Sequence, residues 1–239
     1  MPRQIEAVLV DVGGVLLVPH QEPVSAALAE AGIRAQPGLV ERAHYLGIRA
    51  LDEARGPGEE REEYLRAYVQ AIQVPNDLVQ EAVQVLHPVW AGRAVDLWRQ
   101  PVPGSREGLL RLAETGVKLA IVSNSDGSAE EQLLTHGICQ VGVGSGVPVL
   151  AIVDSFIFGA AKPDPAIFHH AAARLDVEPG QALHVGDSVR YDVEGARAAG
   201  LHPVHFDPYG LCARLDGHDH VRELAEIEHY LRGTDQERA

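Results

Sequence analysis

Six polar residues at the ends of apolar segments carry the chemistry this sequence can offer. Asp11 follows "VLV" in "VLVDVGGVLL", and Ser123 and Asn124 follow "AIV" in "AIVSN". Lys162 stands in "GAAKPDP"; Asp187 closes "LHVGD", and Asp192 lies five residues further on in "GDSVRYD". Three carboxylates brought together repel one another unless a cation sits among them. Hard oxygen donors with room for water suit Mg²⁺ better than a transition metal. Lys162 would add positive charge on another side. A carboxylate nucleophile, Mg²⁺, an ammonium and a hydroxyl can cage a transferring phosphoryl group, which asks mostly for positioning and charge neutralisation. Taken singly, each residue has a plainer role. An Asp after a strand commonly caps a helix, Ser and Asn populate loops, and a proline after Lys162 can open a helix. Their joint order along the chain is the specific signal.

The elements around these residues place them on one edge. Residues 5–10 read as a short buried strand, β-branched and aliphatic, followed by a Gly pair. From Glu22 to about Trp98 the texture is helical: "PVSAALAEAGI", "EEREEYLRAYVQAI" and "NDLVQEAVQVL" carry apolar residues at helical spacing, punctuated by Pro57, Pro75 and Pro88. No strand is evident there. After "PVPGS" the pattern alternates: helix "REGLLRLAETG", strand "VKLAIVSN", helix "SAEEQLLTHG" with Ser128 as N-cap, helix "PDPAIFHHAAARL", strand "ALHVGD", helix "DVEGARAAG", strand "HPVHF". Such alternation implies right-handed crossovers and a parallel sheet. The reading is an α/β core at 1–18 and 101–239, interrupted by a helical insert at 19–100. In an open parallel sheet the carboxyl ends of the strands share one edge, where ligands bind. Asp11, Ser123, Lys162 and Asp187 therefore meet there, and Asp192 reaches it from the next turn.

Composition narrows the partners. The formal charge of −14 over 239 residues argues against a nucleic-acid coat or an anionic membrane as partner. A small anion at a local site is compatible with it. No run of 18 apolar residues suggests a membrane span, and "MPRQIEAVLV" lacks the features of a signal peptide. Cys139 and Cys212 suggest neither a disulfide scaffold nor a zinc site, and each reads as a buried reduced thiol. The expectation is a cytoplasmic protein, monomer or homodimer. Lys118 and Lys162 are the only lysines, so the place of each is informative. The Gly-rich "GVGSGV" lacks the spacing of a dinucleotide fingerprint and reads as a flexible loop. "DGHDH" (216–220) could bind a metal adventitiously but reads rather as a solvated loop before the last helix, and the tail "GTDQERA" as frayed.

In order and content these segments resemble the haloacid dehalogenase superfamily, in the branch with a helical cap inserted after the first strand. "VLVDVGGVLL", "AIVSNS", "GAAKPDPAIF" and "HVGDSVRYDVEGARAAG" look like its four motifs in sequence. The resemblance implies a Rossmann-like parallel sheet with an all-helical cap. It also implies a Mg²⁺-dependent hydrolase acting on a small phosphorylated metabolite. Carried over by position, Asp11 would be the nucleophile that becomes an aspartyl-phosphate. Ser123 and Asn124 would bind the phosphoryl group, and Lys162 would neutralise it. Asp11, the Gly13 carbonyl, Asp187 and Asp192 would hold the metal. The cap would close over the site and choose the substrate. In it His44, Arg49, Arg66 and Tyr68 could contact the leaving group, though each reads rather as helix surface, while Trp90 and Trp98 read as packing residues of the cap or hinge, with a dimer contact as the alternative.

The departure is Gly13. Phosphatases of the family usually place a second Asp there, which protonates the leaving oxygen and then activates water. Such a group is typically worth about 10²–10⁴-fold in rate. Asp126, or His20 and Glu22, could substitute for it, though each reads more readily as a solvated loop residue. Efficient turnover is therefore in question, while metal and phosphate binding are expected. A catalytically impaired phosphate-binding or regulatory module on the same fold is the alternative. Carbon–halogen hydrolysis by Asp11 fits less well, because the intact Asp187/Asp192 pair favours metal chemistry. Phosphonate cleavage through a Schiff base needs a cap lysine, and residues 19–100 contain none.

Overall fold

The central strands form where aliphatic and β-branched residues run together, and there they are buried. A computed structural model describes residues 4–54, 56, 58–91, 96–212 and 217–231. Pro57, Asp216 of "DGHDH" and the tail "GTDQERA" fall outside the described residues. In chain order the strands are β1 (Ala7–Val10), β2 (Leu17–Pro19), β3 (Trp98–Pro101), β4 (Lys118–Ser123), β5 (Cys139–Val141), β6 (Val147–Val149), β7 (Ala151–Asp154), β8 (Ala182–Gly186), β9 (His202–Phe206) and β10 (Asp219–Val221). The helices are α1 (Gln21–Glu30), α2 (Val40–Glu53), α3 (Glu60–Ala71), α4 (Val79–Ala91), α5 (Ser105–Glu114), α6 (Ala129–Thr135), α7 (Ser155–Phe158), α8 (Pro165–Arg174), α9 (Glu194–Ala198) and α10 (Glu228–Leu231).

The chain divides into two compact units, one of Met1–Leu16, Pro101–Pro208 and Leu215–Ala239, the other of Leu17–Gln100 and Tyr209–Arg214. The first holds a six-stranded sheet in the order β10-β9-β8-β1-β4-β7. Every neighbouring pair is parallel, which makes this an α/β, Rossmann-like fold. β1 lies inside the sheet and all four of its residues are buried. Alternate residues of a strand face opposite ways. Ala7 and Leu9 of β1, Ala120 and Val122 of β4, and Ala151 and Val153 of β7 thus share one core with Ile167, Phe168 and Ala171 of α8 and Ala196 of α9. Lys118 is spent structurally: its Nζ donates to the Leu175 and Asp176 carbonyls at 2.8 and 3.0 Å, satisfying the end of α8.

The second unit carries α1 to α4 around Leu28, Ala43, Leu65, Tyr68, Val69, Val83 and Leu86. Gly47 lets α2 and α3 approach, since a Cβ there would lie 2.7 Å from the Tyr64 ring. Trp90 and Trp98 pack against this core. His44 and Tyr68, read as helix surface, are fully buried instead. The Nδ1 of His44 pairs with the Tyr64 hydroxyl at 2.8 Å, and burial lowers its pKa to about 3. Arg49 and Arg66 do lie on the surface, each paired with a glutamate one turn away, Glu53 and Glu62. The C-terminal segment was assigned wholly to the core, yet Tyr209 packs with the second unit. Its hydroxyl donates to Glu41 at 2.8 Å, and its ring stands 5.4 Å from Tyr45.

Several local readings change. β7 is a full member of the sheet, and β5 and β6 pair in parallel around the Gly-rich segment. That segment is tied down: Gln140 Nε2 donates to the carbonyls of Gly142 and Gly146, and its Oε1 accepts from Gly146 N at 2.7 Å. Ser128 precedes α6 without capping it through its side chain. Asp154 takes that role, accepting from Gly127 N and Ala129 N. Cys139 is buried and burial pushes its thiol up to about 12, but Cys212 is only half-buried. Phe168→Ala empties a fully buried site and should lower the unfolding free energy by about 3–5 kcal/mol in denaturant titration. A loss below about 1 kcal/mol would show that this helix–sheet core does not hold the unit together.

Candidate active site

Register brings the predicted residues to one edge. Val10 is aligned with Ile121 of β4 and with Val185 of β8. The ladder continues one step, with Asp11 N donating to the Val185 carbonyl at 3.0 Å. Ser123 and Asp187 therefore leave the two flanking strands within about a residue of Asp11's level. Carboxylate oxygens of Asp11, Asp187 and Asp192 lie within 4.8 Å of one another, and all three side chains are buried.

Lys162 is the hub. Only 4% exposed, it reaches Asp11 Oδ1 and Asp192 Oδ1, each at 2.7 Å. Its backbone is clamped by Asn124, whose Oδ1 accepts from Lys162 N at 2.7 Å while Nδ2 donates to the Lys162 carbonyl at 2.9 Å. Asn124 was read as a phosphoryl ligand. Both ends of its amide engage the Lys162 backbone, so Asn124 positions Lys162, and the second Nδ2 hydrogen is not used by these bonds. The proline-opened helix that follows is capped by Asp164, which accepts from Ala166 N at 2.9 Å.

Asp192 is held by the turn that carries it and by contacts on both carboxylate oxygens. After β8 the chain makes a wide turn over Val189–Val193, in which Val193 N reaches back five residues to the Ser188 carbonyl at 3.2 Å. This swings Asp192 back over Gly186. A Cβ on Gly186 would stand 2.1 Å from Asp192 Cγ, so only glycine leaves room for the carboxylate. Asp192 Oδ2 accepts from Ser188 N at 3.1 Å. Its Oδ1 accepts from Lys162 and also from His184 Nε2, at 2.8 Å. Sequence reading missed His184. Its signal was a lone imidazole two residues before Gly186 within an apolar strand, hence on the same face of the sheet.

Charge is crowded here. Burial raises the pKa of Asp11 to about 8. The Lys162 ammonium opposes this, while Asp192 and Asp187 add to it. Burial works against the charge of Lys162, but Asp11 and Asp192 outweigh it and hold the ammonium protonated. Burial likewise disfavours the Asp192 carboxylate, yet Lys162 and His184 keep it ionised, well below the usual range. Burial lowers His184, which stays neutral and donates through Nε2. One ammonium thus faces three buried carboxylates built from hard oxygen donors. A divalent ion such as Mg²⁺ fits this set, because it relieves the repulsion that Lys162 alone leaves.

The glycine pair behaves differently from expectation. Positive φ falls on Gly14, at 67°, and not on Gly13. The backbone freedom of glycine is therefore needed at position 14, and the backbone at position 13 does not demand glycine.

The family model for haloacid dehalogenase-like hydrolases matches residues 5–200. The chain is 39% identical over 138 residues to haloacid dehalogenase-like hydrolase domain-containing protein 3 of Bos taurus, a match covering 55% of this chain but only 48% of that protein. It is 34% identical over 213 residues to the plasmid-borne phosphoglycolate phosphatase of Cupriavidus necator, covering 86% of this chain and 82% of the relative. Among solved structures, a phosphatase of the same superfamily from Thermococcus onnurineus superposes with a TM-score of 0.58 at 22% identity, covering 96% and 99% of the two chains; at that identity the likeness concerns the fold.

Gly186→Ala should displace Asp192 and unhook Lys162. We expect a destabilisation of at least about 1–3 kcal/mol in thermal unfolding. A stable variant with unchanged hydrolysis would show that Asp192 has no fixed place in the site.

Proposed function

We propose a reaction for this chain, which belongs to the haloacid dehalogenase-like hydrolases: it hydrolyses the phosphoester of a small phosphorylated metabolite through an aspartyl-phosphate on Asp11. The observation that carries this is Lys162 bridging Asp11 and Asp192, with Asp187 beside them, at the carboxyl edge of the sheet. Asp11, Asp187 and Asp192, with the carbonyl of Gly13, would hold Mg²⁺, which supplies charge neutralisation for the phosphoryl oxygens.

Asp11 Oδ1 is occupied, accepting from Val12 N and Lys162 Nζ at 2.7 Å each. Oδ2 is then the attacking oxygen. It forms the new bond to phosphorus as the ester oxygen leaves with its electron pair. Lys162 balances charge on the nucleophile and on the transferring group, and the Ser123 hydroxyl donates to a phosphoryl oxygen. Water then attacks the phosphorus of the acyl-phosphate, frees Asp11 and releases phosphate. Both halves need a proton moved, to the leaving oxygen and from the water. No side chain at position 13 does this. Asp126 accepts from Ser128 N and Oγ, and His20 Nδ1 accepts from Glu22 N to cap α1. Glu22 pairs with Arg99. Each of the three thus has a structural use, and slow turnover for the family is the expected outcome.

A panel of phosphoesters headed by phosphoglycolate, after the name of the Cupriavidus relative, tests the reading with Mg²⁺ and with EDTA. Low native activity should require the metal and fall at least about 100-fold in Asp11→Asn. Gly13→Asp, allowed by the backbone at that position, should raise kcat by about tenfold or more, within the range a general acid–base group supplies. Activity surviving Asp11→Asn would defeat the nucleophile, and chloride release from a haloacid in EDTA would replace the reaction. Fast native turnover would mean that another group moves the proton.

A further inference from the structure

A second cluster stands away from the carboxylates, at the β9–β10 edge of the same sheet. His220 of β10 is the register partner of His205 of β9. His218 lies two residues before His220, so strand periodicity turns both toward His205. Ring centroids are 5.3 Å apart for His205 and His218, 5.2 Å for His205 and His220, and 4.5 Å for His218 and His220. A nitrogen of each lies within 4.8 Å of one on the others.

The tautomer of His205 is fixed by its neighbour. Its Nε2 stands 2.9 Å from the Asp187 carbonyl. A carbonyl only accepts, so Nε2 carries the hydrogen and Nδ1 keeps its lone pair. His205 is 5% exposed, and this Nδ1 is buried with no hydrogen-bond partner. Leaving such a buried acceptor unsatisfied is unfavourable. An imidazole oriented through its other N–H by a backbone carbonyl is arranged as metal-ligating histidines are. The Asp207 carboxylate, 3.9 Å from His220 Nδ1, adds negative charge at the rim. In the sequence these residues fall as His205-x6-Cys212-x5-His218-x-His220, and sulfur is a donor type that zinc shares with imidazole.

We infer that His205, His218 and His220 hold one transition-metal ion, zinc by the softness of its ligands, in a site distinct from the three carboxylates. Imidazole suits zinc, copper and nickel, whereas the carboxylates suit magnesium. The ion satisfies His205 Nδ1 and, through the Nε2–H bond to Asp187, braces the backbone from which a carboxylate of the first site projects. This inference stands whether or not the phosphoryl reaction is correct.

Untagged protein, stripped with chelator and saturated with Mg²⁺ to fill the hard site, is incubated with Zn²⁺, desalted and analysed for bound metal. The expected content is about one zinc per chain. It should fall at least tenfold in His218→Ala/His220→Ala and persist in Asp187→Asn, whose backbone carbonyl is unchanged. Cobalt in place of zinc should give the strong visible bands of a four-coordinate ion in the native protein, which reads the site without any variant. Native protein that retains neither metal overturns the inference. So does zinc that survives the double histidine substitution or disappears with Asp187→Asn, because it would then sit at the carboxylates.

Discussion

One buried ammonium organises this protein's chemistry. Lys162 lies between Asp11 and Asp192 at 2.7 Å from each, nearly out of contact with water. Charges in such a place persist only when each is paired, and removing one partner from a buried pair costs about 3–5 kcal/mol. The surroundings are built to keep the pairing. Asn124 fixes the lysine's backbone with two hydrogen bonds, and His184 and Ser188 hold the second carboxylate in its place. The result is a preorganised pocket of opposed charge, in which electrostatic stabilisation needs little rearrangement.

Absence of side-chain atoms matters as much as their presence. Gly186 leaves the volume that the Asp192 carboxylate fills, and Gly195 lets α9 close on Phe168 and on Pro163, the residue after Lys162. The wide turn at Val189–Val193 serves the same end by carrying Asp192 back over the strand end. These are backbone devices, and they explain why the fourth motif is rich in glycine beside its acids. Gly13 is different, since its φ is not positive and the strained turn falls on Gly14. In the proposed reaction, glycine at position 13 withholds a proton donor.

Membership of the haloacid dehalogenase-like hydrolases accounts for the sheet and for a hydrolytic reading, and the relative from Cupriavidus necator spans most of both chains. The match to the bovine relative covers less than half of that protein. The histidine cluster on β9 and β10 lies at the far end of the sheet from β7, and the β8–β9 register sets His205 opposite Gly186, the residue before Asp187. Beside that ladder, a side-chain hydrogen bond joins His205 to the Asp187 carbonyl.

The sequence alone determined the alternation of strand and helix, the parallel sheet and the residues at its edge, because hydrophobic period and turn residues are local properties. It named Asp11, Lys162, Asp187 and Asp192 for the same reason: each closes or follows a legible segment. It did not reveal β7 or the pairing of β5 with β6, whose short runs look like loop until a neighbour supplies the ladder. Nor did it reveal that His44 and Tyr68 are interior, that Asn124 grips Lys162, or that His184 serves Asp192. Those facts depend on which residues meet across 20 to 38 positions of sequence, or on which way a wide turn points. The gathering of His205 with His218 and His220 is of the same kind. "DGHDH" reads as loop in one dimension, and only the β9–β10 register sets its histidines opposite a third, whose free lone pair was decided by a carbonyl from another strand's end.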